Sequence, residues 1–159
     1  MTVSVRVARR GDYEALCDLF EQMDFLHEQA LPGVFKAPEG PARSLEHVSR
    51  LMRNKRGALF VAESDGRVIG TVNVALQGAP DIPIFRPRRF AVVGELVVDQ
   101  ASRRRGVARI LLKKADEWAK AQGVEQIELN VWEFNEAAIR CHQSLGYSTL
   151  SRRMYKELR

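Results

Sequence analysis

The stretch ELVVDQASRRRGVARILL, Glu95 to Leu112, decides how this chain is read. Leu96, Val97 and Val98 form the continuous apolar run expected of a strand covered on both faces, and Asp99 to Ser102 ends it with turn-forming polar residues. Val107, Ile110, Leu111, Ala115 and Trp118 then recur at helical spacing, while Lys113, Lys114, Asp116, Glu117 and Lys120 fall mostly on the other side. The pattern predicts a strand, a short basic loop and the start of a helix. A helix N-terminus carries unpaired N–H groups and a partial positive charge, and both attract anions. Arg103, Arg104 and Arg105 add full charges, Gly106 lets a ligand approach the backbone, and Ala108 is too small to block it. These features suit a polyphosphate, but a solvated arginine run would look the same over so few residues.

The whole chain bounds the answer. Its 159 residues suit one domain spanning residues 1–159, with 45% hydrophobic and 28% charged residues, as in soluble globular proteins. The net charge is 25 minus 20, or +5. Between positions 86 and 105, Arg86, Arg88, Arg89, Arg103, Arg104 and Arg105 face only Glu95 and Asp99, which points to an anionic ligand. Cys17 and Cys141 form no close-spaced pair, so neither a disulfide framework nor a zinc site is expected, and a reducing cytoplasm suits them. The sequence has no apolar signal core and no run approaching the ~18 apolar residues of a membrane span. No metal and no membrane partner are expected.

In chain order, Val3, Val5 and Val7 alternate with polar residues as a first strand, and Asp12 is placed to cap a helix with the stripe Tyr13, Leu16, Cys17, Phe20 and Met23. Phe25 to Arg43, broken by Pro32, Gly33, Pro38, Gly40 and Pro41, reads as an irregular surface loop or a binding wall. Ser44 precedes a short second helix. Ala58–Glu63 and Arg67–Leu76 read as paired strands around the hairpin signal Asp65-Gly66. A Pro- and Arg-rich loop, Gln77 to Arg89, leads into a strand from Phe90 to Val98, where Gly94 marks a bulge. After the basic helix come a stop at Gly123, a strand from Gln126 to Trp132, a helix capped by Asn135 and ended by Gly146, and a last strand from Tyr147 to Leu158.

Arg103-x-x-Gly106-x-Ala108 resembles the acetyl-CoA signature of the GNAT superfamily of N-acetyltransferases, Gln/Arg-x-x-Gly-x-Gly/Ala. ELNVWEFNEAAIRCHQSLGY, Glu128 to Tyr147, is similar to that family's closing motif through Asn135, Ala138, His142 and Gly146-Tyr147. The order of elements also resembles the family's from end to end. The resemblance implies a single-domain α/β fold whose mixed, mostly antiparallel, twisted sheet is flanked by helices and splayed at the acetyl-CoA site. It implies that the pantetheine arm enters the splay beside Leu96, Val97 and Val98. The pyrophosphate is expected on Arg103, Arg104, Arg105, Gly106, Val107, Ala108 and Arg109, with Asn135, Ala138 and His142 also lining the cofactor.

The implied reaction is acetyl transfer from acetyl-CoA to a primary amine, of a small molecule or a protein, by direct attack in a ternary complex. An ammonium with a pKa near ~10.4 must first lose a proton, and the departing thiolate leaves better if an acid protonates it. Glu95 is the candidate base; the alternative is a strand carboxylate paired with an arginine. His142 stands where many relatives carry a proton-donating tyrosine, so it, Tyr155 or solvent is the candidate acid. Asn135 has two readings, helix cap and cofactor ligand. Cys141 reads as packing, and His27 and His47 as surface or wall residues. Competing readings are a CoA-binding regulatory domain with little catalysis and, on the arginines alone, a nucleic-acid-binding protein, although no nucleic acid is expected. Phe25–Arg43 and Gln77–Arg89 are expected to set the acceptor, and a homodimer is a possibility that relatives suggest.

Overall fold

A computed structural model describes residues 1–159. In chain order the elements are β1 (Ser4–Val7), α1 (Tyr13–Ala30), α2 (Leu45–Arg53), β2 (Gly57–Ser64), β3 (Arg67–Gly78), β4 (Arg89–Val98), α3 (Val107–Ala121), β5 (Ile127–Leu129) and α4 (Glu136–Ser144). The five strands form one open sheet in the order β1-β2-β3-β4-β5, antiparallel throughout except for the parallel β4–β5 pair. Asp65 and Gly66 sit at φ 51° and 75°, the left-handed pair that a two-residue hairpin between β2 and β3 requires.

The apolar runs of β2 and β4 reflect helices on both faces. Phe60, Ala62, Val72, Val74, Ala91 and Val93 pack with Val107, Leu111, Leu112 and Ala115 of α3. The alternate residues Leu59, Val61 and Val97 pack with Leu16, Leu19 and Phe20 of α1 and with Val48 of α2. Two-residue periodicity thus sends successive strand side chains into two different cores. Each fully buried leucine or phenylalanine contributes about 1.5–3 kcal/mol.

The expected bulge is present. Val72 pairs with Leu96 and Val74 with Val93, so Asn73 alone faces both Gly94 and Glu95. The Asn73 side-chain amide fills the gap, and its Oδ1 accepts from the Glu95 N–H at 2.6 Å. A Cβ on Gly94 would collide with that amide, so the bulge depends on glycine.

Three expectations are corrected. Asp12 caps no helix with its side chain; it is buried, accepts from Arg6 at 2.8 and 2.9 Å, and accepts the Arg9 N–H at 2.8 Å. The Arg6 hydrogen bond holds the Asp12 carboxyl below the usual carboxylate range. Second, α1 runs on to Ala30, consuming the first third of the segment read as irregular. Third, residues 147–159 form no strand: after Tyr147 no residue makes a hydrogen bond, and Leu150, Met154, Tyr155 and Leu158 are 77–88% exposed. Consistent with an unfilled outer edge, β5 is also shorter than its sequence pattern, ending at Leu129 rather than Trp132.

Candidate active site

β4 and β5 pair only from Ala91↔Ile127 to Val93↔Leu129. Beyond that point β4 continues through its bulge to Val98, held by β3 alone. The sheet therefore splays immediately at Gly94 and Glu95. The Asp99 N–H donates to the Ile69 carbonyl of the β3 side at 2.9 Å, so the alternation of an antiparallel ladder turns the backbone of Val98 and Leu96 toward the open side. Arg103 confirms that direction, because its Nε donates to the Val98 carbonyl at 3.1 Å. Leu96 is left with its outward backbone groups free, as an extended amide-bearing chain would need.

The loop that follows is a cradle of N–H groups. Arg104 at φ 63° and Gly106 at φ 79° curl the chain into the first turn of α3, where Gly106 is the N-cap residue. None of the six consecutive N–H groups from Arg104 to Arg109 donates to a protein acceptor. A Cβ on Gly106 would meet no atom within 4 Å, so the space before it is open. Such a run of free donors at a helix N-terminus, flanked by exposed Arg103, Arg104 and Arg105, fits a pyrophosphate. Arg109 is engaged elsewhere: its guanidinium donates to the Ser144 hydroxyl at 3.2 Å and ties α3 to the end of α4.

The other basic loop differs from its sequence reading. Arg88 donates to Gln126 and Glu128 at 3.0 and 2.8 Å and lies over the Phe90 ring, and Arg89 donates to the Gln122 carbonyl at 3.0 Å. These two arginines clamp β4 to the segment leading into β5.

Glu95 lies at the bulge and is paired with Arg43, 2.7 Å away, rather than with any arginine of the basic loops. Arg43 spans two carboxylates, since it also reaches Asp24 of α1 at 2.8 Å. Its guanidinium sits over the Phe20 ring, and its carbonyl accepts from Tyr13 Oη at 2.9 Å and Cys17 Sγ at 3.4 Å. Desolvation lowers the Arg43 pKa, but hydrogen bonds to Asp24 and Glu95 outweigh it and raise the net value. Glu95 Oε2 is buried and has no hydrogen-bond partner, so one carboxylate oxygen is left unengaged.

Beside this network four rings meet: His27 of α1, Phe35, Trp132 and Phe134, with centroid separations from 5.0 to 6.3 Å. They bring the end of α1, the segment after it and the β5–α4 connection into one wall. The wall alternative for His27 and for Phe25–Arg43 is the one these rings fit, but their meeting with Trp132 and Phe134, and the pairing of Arg43 with Asp24 and Glu95, have no local spacing that sequence reading could detect.

On α4, the Asn135 side chain accepts from the Ala138 N–H at 3.2 Å, so the cap reading of Asn135 is realised and Ala138 lies in the capped turn. His142 is buried with Nδ1 unpartnered, and its ring stands edge-on to Tyr147 at 5.7 Å. Burial holds the imidazole below its ordinary pKa, favouring the neutral form. Tyr147 Oη is likewise buried and unpartnered; burial, aided by the charge of Asp116, pushes it up to about 12. Tyr155 stands apart, 85% exposed on the tail. Tyr147, which the motif matched only as a ring after Gly146, is therefore the tyrosine that accompanies His142.

The model of the acetyltransferase (GNAT) family matches residues 15–147. N-acetyltransferase 8 of Homo sapiens is 29% identical over 104 residues, 65% of this chain and 44% of that protein. An uncharacterized N-acetyltransferase of Methanocaldococcus jannaschii is 33% identical over 97 residues, 61% of this chain and 42% of its own length. The chain thus spans less than half the length of these two relatives. A crystal structure of a mutant BH1408 protein from Bacillus halodurans superposes with a TM-score of 0.93 at 24% identity, covering 98% of this chain and 99% of that one. An aminoglycoside N-acetyltransferase, AAC(6')-Iy, in complex with CoA, superposes at 0.74 with 17% identity, covering 98% and 99%. No helix is long and apolar enough to cross a membrane.

Proposed function

Because this chain belongs to the acetyltransferase (GNAT) family, we propose that it transfers an acetyl group from acetyl-CoA to a primary amine, of a small molecule or a protein, in a ternary complex. The observation that carries the reading is the cradle of six unpartnered N–H groups, Arg104 to Arg109, opening beside the β4–β5 splay. Acetyl-CoA supplies the activated acyl thioester; the chain supplies position, charge and proton management.

The N–H groups of residues 104–109 bind the pyrophosphate, and the helix N-terminus adds roughly 0.3–1 kcal/mol of charge stabilisation. The free backbone of Leu96 orients the pantetheine arm, and the divergence after Val93 leaves room for the thioester. Glu95 acts as the base, directly or through water, through the unpartnered Oε2 while Arg43 fixes Oε1. Arg43 and Asp24 act as positioning residues that hold Glu95 in one geometry. His142 and Tyr147, both carrying buried unpartnered polar atoms, are the candidates to protonate the departing thiolate. A tyrosine kept protonated up to about pH 12 is an O–H donor throughout the working range.

The Arg43–Glu95 ion pair also favours a second reading, in which Glu95 is structural and the chain binds CoA with little turnover. Thiol release from acetyl-CoA across amino acids, polyamines, aminoglycosides and peptides separates the two. An amine-dependent signal that collapses in Glu95→Gln supports transfer; saturable CoA binding with no turnover on any amine supports the second reading.

A further inference from the structure

We infer that the ring wall selects an arylalkylamine as acceptor, its aromatic ring seated against Phe35 and Trp132 and its nitrogen directed at the carboxylates of Asp24 and Glu95. The inference rests on the acetyl-transfer reading above and names the class of amine. His27, Phe35, Trp132 and Phe134 come from α1, the segment after it and the β5–α4 connection, and meet at centroid separations of 5.0 to 6.3 Å. None of the four belongs to either hydrophobic core. Trp132 is 42% exposed and the other three are half-buried. Large rings gathered outside the core and left partly open form the kind of apolar surface that takes a ligand.

The charged network complements the other end of such a molecule. Asp24 and Glu95 both bind Arg43, at 2.8 and 2.7 Å, so two carboxylates share one guanidinium, and 1 minus 2 leaves a net charge of −1. Glu95 Oε2 has no hydrogen-bond partner. An ammonium supplies the missing positive charge and the missing donor. Asp24 and His27 are three residues apart on α1, so carboxylate and wall start about 4.5 Å apart along that helix. A nitrogen joined to an aryl ring by a short alkyl linker spans that gap.

The ring geometry favours an aryl group at the wall over a second cation. Phe35 meets Trp132 at 78° and His27 meets Phe134 at 80°, so ring edges cover faces that a cation would need. A further ring extends this edge-to-face packing. The guanidinium of Arg43 already lies over Phe20 at 5.0 Å, which places a fixed cation in the same network. Glu133 stands between Trp132 and Phe134 in the chain and is exposed, so a diamine, whose second ammonium it would draw, is the competing probe.

The reaction remains that of the proposed function: the arylalkylammonium and the thioester give an amide, free CoA thiol and one proton, as the N–C bond forms and the C–S bond breaks. The test compares phenethylamine, n-butylamine and putrescine as acceptors for the full chain. The kcat/KM for phenethylamine is expected to exceed that for the other two by about 10–100-fold, the worth of burying one ring. In Trp132→Ala and in Phe35→Ala that ratio should collapse, with circular dichroism matching the parent. Turnover without preference for phenethylamine, a preference for putrescine, or a ratio that survives both substitutions would overturn the inference. A second readout needs no turnover. The chain has two tryptophans, so in Trp118→Phe the remaining fluorescence reports Trp132. Phenethylamine should quench it saturably and n-butylamine should not. Quenching without acetylation of any amine would sustain the aryl site and defeat the transfer reading, whereas acetylation without quenching would defeat the aryl site alone.

Discussion

The proposed cofactor side of the cleft and the side-chain wall opposite, proposed to face the acceptor, are built in opposite ways. The proposed cofactor side uses the backbone of one contiguous stretch, Leu96 to Arg109, in which the N–H groups of residues 104–109 are free because a helix begins there. The proposed acceptor side uses side chains from four separated segments: Asp24 and His27 on α1, Phe35 and Arg43 after it, Glu95 at the bulge, and Trp132 and Phe134 before α4. A backbone cradle is indifferent to most side-chain changes and sensitive to φ and to glycine. A side-chain wall is the reverse, and can change its acceptor without disturbing the cofactor site.

Single substitutions should separate the two sides, beginning with the largest effect. Glu95→Gln removes the proposed base and is expected to lower kcat by about 10²–10⁴-fold while leaving the KM for acetyl-CoA within about twofold. Gly106→Val places a branched side chain at φ 79° and into the open cradle. It should weaken acetyl-CoA binding by about 10–100-fold, the equivalent of one or two charge-assisted hydrogen bonds, without changing the amine profile. Gly94→Ala forces the Asn73 amide aside and should cost about 1–3 kcal/mol in urea unfolding, more than an alanine placed elsewhere on an exposed edge.

The smallest effects are in pH dependence. Burial lowers the His142 pKa below 6.5, so the unfolded chain takes up a proton the native chain resists. Its contribution is present above pH 6.5 and lost as pH falls, and His142→Phe should flatten that acid limb relative to the parent. Tyr147 is shifted the other way, from 10.0 to about 12, so its contribution is present below pH 10.0 and lost as pH rises toward about 12. Tyr147→Phe should remove this alkaline loss.

The same contrast explains what sequence could reveal. Strand, loop and helix from Glu95 to Leu112, the Asp65-Gly66 hairpin, the Ser44 and Asn135 caps and the Gly94 bulge are local, and each follows from residues within a turn of one another. Arg43 was unreadable because its partner Glu95 is 52 residues away and its own neighbourhood is proline-broken. Arg88 and Arg89 resembled an anion site because sequence shows charge but not the Gln126, Glu128 and Gln122 acceptors that occupy them. Asp12 had cap chemistry, yet a nearby arginine competed for its carboxylate. The tail had strand alternation but no partner within the chain, and alternation says only that one face wants covering.

The most direct measurement is a calorimetric titration of the parent and of Gly106→Val with acetyl-CoA. A saturable one-site isotherm, displaced by free CoA and weakened by about 10–100-fold in the variant, is the predicted result. No saturable heat, or binding of equal strength in both proteins, would contradict the assignment of residues 104–109 as the cradle on which this account of acetyl transfer rests.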